Sequence, residues 1–336
     1  MLRSALLNVM IKAARKASRT LKRDFGEVEH LQVSLKGPAN FVTAADHRAE
    51  EIVREELEQA RPGYSFVGEE GGVREGTDRT HRWIVDPIDG TLNFLHGIPY
   101  FAISIALERE GTIIAGLVYN PATDELFTAE RGKGAFLNDQ RLRVAARRRL
   151  ADAVVACGLP HPSRGDAELS RNEHIAVQNK IAGLRRFGAA ALDLAWVAAG
   201  RIDAYWERGL SPWDMAGGIA LVREAGGFVT DLDGRDDMIK SGGILVGNED
   251  IHRELLRTLK DARKTASIGS AAPAGGRAVR GEFEERLVAP AMRGPGRRCG
   301  VKPTPCSREA WIHGITGPTA AVVLPSAASV PYCQAT

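Results

Sequence analysis

Up to Lys264 the spacing of apolar residues switches repeatedly between helical and extended periods, which restricts this part of the chain to a mixed helix-and-sheet fold. Leu2, Leu6, Val9, Met10, Ala13 and Ala17 recur at helical spacing, with Arg15, Lys16, Arg19 and Lys22 largely off that face. An amphipathic first helix is expected there. A loop at Lys36 to Asn40 precedes a second helical run from about Ala45 to Gln59. Tyr64-Ser65-Phe66-Val67 and Trp83-Ile84-Val85 read as short strands, and Phe101 to Leu107 with Thr112 to Tyr119 as a hairpin joined through Gly111. Further on, Ala189 to Ala199 and Met215 to Ala225 carry helical patterns, while Ile202 to Trp206 and Phe228 to Thr230 are extended. This order, without any internal repeat, predicts an α+β layered sandwich.

Composition sets the limits of that fold. Residues 265–336 hold eight of the 16 prolines and three of the four cysteines, and no sustained apolar period. They are expected to form a disordered, basic Pro/Gly/Ala-rich tail behind a folded domain of residues 1–264. The tail's eight Arg or Lys against four Glu exceed the whole chain's net charge of +3, since the domain has 37 basic and 38 acidic residues. The domain therefore has no basic excess that would mark a nucleic-acid-binding face. No apolar run reaches the roughly 20 residues of a membrane span. The N-terminal helix is expected to belong to the mature domain, because its apolar stretch is short and Lys12 interrupts it. Cys157, Cys299, Cys306 and Cys333 form no zinc-site spacing, and such sparse usage fits a cytoplasmic setting.

Acidic residues next to strand ends carry the candidate chemistry. Asp86 follows Trp83-Ile84-Val85, and Asp89 comes just beyond the stiff Pro87. Two carboxylates this close repel one another unless a cation lies between them. Oxygen-only donors without His or Cys suit Mg²⁺. Gly90-Thr91 then opens a short helix through Leu92-Asn93-Phe94, whose first N–H groups can hold phosphate oxygens. An isolated Asp-Gly-Thr would be an ordinary turn; the strand and Asp86 in front of it favour a metal site. Glu69-Glu70 after Gly68, Asp214 at the start of a helix, and Asp46 before another add further carboxylates, though both Asp46 and Asp214 are also plausible helix caps.

Taken together, these segments resemble the inositol monophosphatase family. The resemblance rests on Trp83-Ile84-Val85-Asp86-Pro87-Ile88-Asp89-Gly90-Thr91-Leu92-Asn93-Phe94 and on Trp213-Asp214-Met215-Ala216-Gly217-Gly218, continuing to Glu224-Ala225-Gly226-Gly227. Phe41-Val42-Thr43-Ala44-Ala45-Asp46 and Gly68-Glu69-Glu70 also match, and the likeness extends from the first helix to about Lys260. It implies an αβαβα sandwich, a homodimer, and a lithium-sensitive phosphatase with two or three Mg²⁺ per site. Glu69, Asp86 and the Ile88 carbonyl would hold the first ion. Asp86, Asp89 and Asp214 would hold the second, and a third would sit near Glu69. The resemblance assigns catalysis to Thr91, Asp46 and Glu69, with Thr91 and Asp46 orienting and deprotonating the attacking water. It assigns phosphate binding to Gly90 and Thr91. Glu207 would meet a substrate hydroxyl beside a wall of Gly188, Ala189 and Ala190, with Asp89 and Asp214 also facing the substrate.

The implied substrate is a small phosphorylated polyol, above all inositol 1-phosphate. Fructose 1,6-bisphosphate, histidinol phosphate and 3′-phosphoadenosine 5′-phosphate are alternatives for the same metal motifs. Glu207 and Leu192-Asp193-Leu194 favour an inositol phosphate, whereas Arg185-Arg186 keeps bisphosphates open. From another class, bacterial relatives serve as accessory factors for RNA polymerase in ribosomal RNA synthesis. Arg147-Arg148-Arg149 and the tail are the only candidates for nucleic acid or RNA polymerase contacts, and they do not indicate such a role.

Overall fold

The computed structural model describes residues 3–27, 33–37, 40–159 and 166–270. The chain divides into two units, Met1–Gly275 and Gly276–Thr336, the second entirely outside the described residues. The expected tail therefore lies outside them too, apart from the end of the last helix.

Helix α1 (Ala5–Gly26) leads into an antiparallel ribbon of β1 (Val33–Gly37) and β2 (Asn40–Thr43), and then into α2 (Ala44–Ala60). Strands β3 (Tyr64–Gly68), β4 (Gly72–Arg74) and β5 (Asp78–Asp89) follow, and then the short helix α3 (Thr91–Leu95). A meander of β6 (Ala102–Arg109), β7 (Thr112–Asn120), β8 (Glu125–Glu130), β9 (Gly134–Leu137) and β10 (Gln140–Arg141) completes the first half. The second half runs through β11 (Val154–Cys157), α4 (Ala167–Gln178), β12 (Gly183–Arg185), α5 (Ala190–Ala198) and β13 (Ala204–Arg208). It closes with α6 (Pro212–Glu224), β14 (Phe228–Thr230), α7 (Met238–Ser241), β15 (Gly243–Gly247) and α8 (Glu249–Ser270).

The large sheet has the order β10-β9-β8-β7-β6-β5-β3-β4, and the smaller sheet the order β12-β11-β13-β15-β14. Alternation along the strands sorts their side chains into three cores. Trp83, Val85, Ile103, Ile105 and Leu117 point from the large sheet to α1 and α2, meeting Met10, Leu21, Val53 and Leu57. Ile84, Ala106 and Val118 point the other way onto α5 and α6, where Tyr205, Ile244 and Val246 of the smaller sheet close the same core. Trp206, Leu245, Leu255 and Leu259 fill the third core, under α4 and α8. Helices, sheet, helices, sheet and helices thus stack as the αβαβα sandwich that the resemblance implies. Removing a fully buried side chain such as Leu21 would cost about 2–5 kcal/mol.

Local boundaries depart from the expectations in four places. The buried stripe of α1 adds Leu7, Ile11 and Ala14 and leaves Leu6 and Val9 only half-buried, because the helix packs on α2 and the sheet together. Leu2 lies outside the described residues. The expected loop at Lys36 to Asn40 contains the ends of β1 and β2. Strand β5 does not stop at Val85 but continues to Asp89. Its pairing with β6 passes from Asp86↔Ser104 to Asp89↔Ala102, so one extra residue on β5 forms a bulge that accommodates Pro87, which has no N–H to donate. Lastly, α8 runs past Lys264 to Ser270.

Candidate active site

Three chain segments arrive at one edge of the large sheet, and pairing explains why. Strands β3 and β5 are parallel, and β3 ends with Gly68 opposite Val85. The next residues, Glu69 and Asp86, therefore emerge together, tied by Glu69 N–H to the Val85 carbonyl at 3.3 Å. The bulge then turns Asp89 back into the same region. Helix α6 comes from the layer behind, packs on β5, β6 and β7, and brings Asp214 on its first turn.

Asp86, Asp89 and Asp214 each offer a carboxylate oxygen within 4.8 Å of the others. Asp86 is 1% and Asp89 7% exposed, so water cannot screen their charges. Burial pushes Asp86 well above the usual carboxylate range, and Glu69, Asp89, Asp214 and Asp46 push it further. Burial and then Asp214 do the same to Asp89, opposed by the Ala191 N–H. A divalent cation resolves this strain, and the all-oxygen donors fit Mg²⁺. The trio fits the expected second ion. Glu69 stands outside this trio but close enough to raise Asp86.

Each of these acids is also a structural element. Asp89 accepts the Ala190 and Ala191 N–H groups at 3.2 and 2.7 Å, capping α5, whose own N-cap Ala189 has no capping side chain. Asp214 accepts the Ser211 N–H at 2.7 Å in a capping box. Asp46 does likewise for α2, its Oδ2 accepting the Thr43 N–H at 2.8 Å and the Thr43 hydroxyl at 2.6 Å. The cap and site readings of Asp46 and Asp214 are therefore compatible. Asp46 Oδ1 faces the Thr91 hydroxyl at 3.3 Å, and the Ile88 carbonyl competes for the same proton at 3.0 Å. The expected Thr91–Asp46 pair and the Ile88 carbonyl thus share one corner of the site.

Gly90 precedes α3 in a left-handed conformation with φ +86°. A Cβ there would lie 2.9 Å from the Ala189 Cβ and 3.3 Å from the Gly188 carbonyl, so the expected wall of Gly188, Ala189 and Ala190 packs directly on this turn. Glu207, on β13, is buried and its carboxyl is pushed up to about 7, chiefly by burial. It accepts a hydrogen bond from the Tyr205 hydroxyl and lies near enough to Asp214 and Asp89 to feel their charge. A Cβ at position 158 would collide with its carboxyl, so Gly158 leaves the room Glu207 occupies. The Arg186 guanidinium acts on Glu207 and Asp193, while Arg185 turns to the Leu184 carbonyl. Every residue proposed for the site from the sequence is thus in the described structure, and the geometry draws them into one region.

Several contributing residues were not foreseen. Asn93 Nδ2 donates to the Tyr100 and Phe187 carbonyls at 2.8 and 2.9 Å, tying α3 to the wall loop. The Tyr100 hydroxyl donates to buried Asp193 at 2.9 Å, holding α5 from the other side. Asn93 belongs to the sequence motif itself, but nothing local reveals partners so far along the chain.

A family model described as "Inositol monophosphatase family" matches residues 2–264. The chain is 61% identical over 260 residues to a protein of Mesorhizobium japonicum named inositol-1-monophosphatase, covering 77% of this chain and 98% of that one. It is 42% identical to Nus factor SuhB of Pseudomonas aeruginosa, covering 76% of this chain and 96% of the relative. The crystal structure of extragenic suppressor protein SuhB from Bartonella henselae superposes with a TM-score of 0.74 at 58% identity, over 76% of this chain and 99% of that one.

Proposed function

The chain belongs to the inositol monophosphatase family, a family of phosphoric monoester hydrolases, and from that premise we propose that it hydrolyses inositol 1-phosphate to inositol and phosphate with Mg²⁺ as its metal. The observation that carries this reading is the trio of buried Asp86 and Asp89 with half-buried Asp214 beside the Gly90–Thr91 turn.

Glu69, Asp86, the Ile88 carbonyl, Asp89 and Asp214 would hold two or three ions. Bound there, the metal lowers the pKa of water and neutralises charge on phosphate and leaving group. The chain supplies the positioning. Thr91 has one hydroxyl proton, and donating it to Asp46 leaves its lone pairs to accept a proton from the attacking water. Thr91 is too weak a base to act alone, so Asp46 carries the negative charge of the relay. The Gly90 and Thr91 N–H groups orient the phosphate, which Gly90 lets approach closely. Glu207 accepts a hydrogen bond from a substrate hydroxyl, held in place by Tyr205 and in the space left by Gly158. Water attacks directly, and a trapped phosphorylated side chain would disprove that.

A homodimer in the cytoplasm, sensitive to Li⁺, completes this reading. None of the described helices is long and apolar enough to cross a membrane. A role in ribosomal RNA transcription, the alternative that the resemblance left open, is the second reading, and the Pseudomonas relative is named a Nus factor. Against it, Arg147, Arg148 and Arg149 each have a carboxylate within 4.0 Å, so the run stands among acidic groups rather than on a basic face.

The test is phosphate release with Mg²⁺ from inositol 1-phosphate, fructose 1,6-bisphosphate, histidinol phosphate and 3′-phosphoadenosine 5′-phosphate. Inositol 1-phosphate should have the highest kcat/KM. Preference for a bisphosphate would transfer the assignment to that substrate, and no release from any of them would refute the phosphatase reading.

A further inference from the structure

Helix α2 brings a second carboxylate to the site from one turn beyond Asp46. Glu50 is only 5% exposed, and its side chain does not end in solvent or on a basic group. Its Oε2 accepts the Glu70 N–H at 2.8 Å and its Oε1 the Gly71 N–H at 2.6 Å. These are the backbone groups immediately after Glu69 in the turn between β3 and β4. The same carboxylate explains two glycines: a Cβ at Gly68 would lie 2.4 Å from Oε2, and one at Gly71 2.7 Å from Oε1. The turn is therefore moulded around the head of Glu50. Burial raises the Glu50 carboxyl, and the Glu70 and Gly71 N–H groups oppose that rise.

We infer that Glu50 is a positioning residue, which fixes the loop carrying Glu69 so that the Glu69 carboxylate stays beside Asp86 for the metal. It does so through hydrogen bonds to the loop backbone, and both its oxygens are engaged there rather than turned to the ion. Helix α2 then serves the site twice, with Asp46 facing the Thr91 hydroxyl and Glu50, at i+4, holding the Glu69 loop on the same helix face. Groups that orient ligands from behind contribute to affinity much as the ligands do.

The inference rests on Glu69 being a metal ligand, and a double-mutant cycle separates the two claims. Binding of Mn²⁺ to the purified full-length protein is measured by counting free ion through its EPR signal, for wild type, Glu50→Gln, Glu69→Gln, the pair together, and Gly71→Ala. Thermal melting of each variant checks its fold. Glutamine keeps the shape of Glu50 but turns an amide NH₂ towards one of the two N–H donors. Glu50→Gln should weaken the affected ion by about 10- to 100-fold. Gly71→Ala keeps all charges and displaces the Glu50 head, so it should weaken the ion in the same direction. The double variant should bind no worse than Glu69→Gln alone. Full additivity in the double variant, or an unchanged affinity in Gly71→Ala or Glu50→Gln, would overturn the positioning role while leaving Glu69 a ligand. An unchanged affinity in Glu69→Gln would remove the ligand assignment, and the inference with it.

Discussion

Replacing Asp89 by Asn separates its two roles and should move stability in opposite directions with and without metal. In the metal-free protein at neutral pH, Asp89 is a buried carboxylate facing Asp214 and Asp86, and its pKa is raised above the ordinary value. A raised carboxyl pKa means that the ionised form opposes folding: the stability it contributes is full below the unfolded pKa and is lost as pH rises through the folded one. Asparagine removes that charge, but its amide can accept only one of the two N–H groups of Ala190 and Ala191, at a cost of about 1 kcal/mol. In EDTA at pH 8 the variant should therefore melt at or above the wild type, and the wild type should gain on acidification towards pH 5 more than the variant does. With Mg²⁺ at a hundredfold excess over its Kd the wild type gains about 2.7 kcal/mol, on the order of 5–10 °C in Tm for a domain of this size. The variant should lose most of that gain and fall at least about a hundredfold in kcat. Differential scanning calorimetry in EDTA and in Mg²⁺, beside a phosphate-release assay, measures all of this. A variant that keeps the full Mg²⁺-induced shift and full activity would refute the reasoning.

Three further outcomes follow from single contacts. Asn93→Asp points acceptors at the Tyr100 and Phe187 carbonyls and should cost about 2–3 kcal/mol in urea unfolding, more than Asn93→Ala. Gly90→Ala forces a left-handed backbone and a 2.9 Å contact with Ala189, so steady-state kinetics should show a raised KM and a kcat lowered about tenfold or more. Buried His252 is pushed down to about 4, and its Nε2–H donates to Thr230 Oγ1, whose own proton goes to the Asp231 carbonyl. With its folded pKa depressed, it contributes stability above about pH 6.5 that is lost as pH falls towards 4, by up to about 3 kcal/mol. The stability of wild type minus that of His252→Gln, from melts across that range, should decline accordingly.

How far the sequence could be read depended on where each residue's partners lie. Asp86 to Thr91 is legible because an apolar strand, a proline and a glycine mark the segment locally, and α5 and α6 because they are apolar over most of their length. The bulge is not, since it exists only in the pairing of β5 with β6. Strand β15 is buried at all five positions and so lacks the alternation that marks a strand. Helix α4 buries Ser170 and Glu173, and Glu173 is tolerated there because Arg208 of distant β13 and Arg263 of α8 meet it. Glu50 looks like an ordinary helix-surface glutamate until the turn of Gly68 to Gly72 closes over it. Carboxylates next to chain punctuation could be found from the sequence. Glu50, which no such punctuation marks and whose partners are backbone N–H groups of another segment, could not.

As the metal centre of a phosphatase, the carboxylates gathered around Asp86 should bind divalent ions in the crystal. Anomalous diffraction from crystals soaked in Mn²⁺ tests it most directly. Peaks are expected between Asp86, Asp89 and Asp214 and between Glu69, Asp86 and the Ile88 carbonyl. Peaks elsewhere with none at Asp86, under conditions in which Mn²⁺ supports phosphate release, would contradict it.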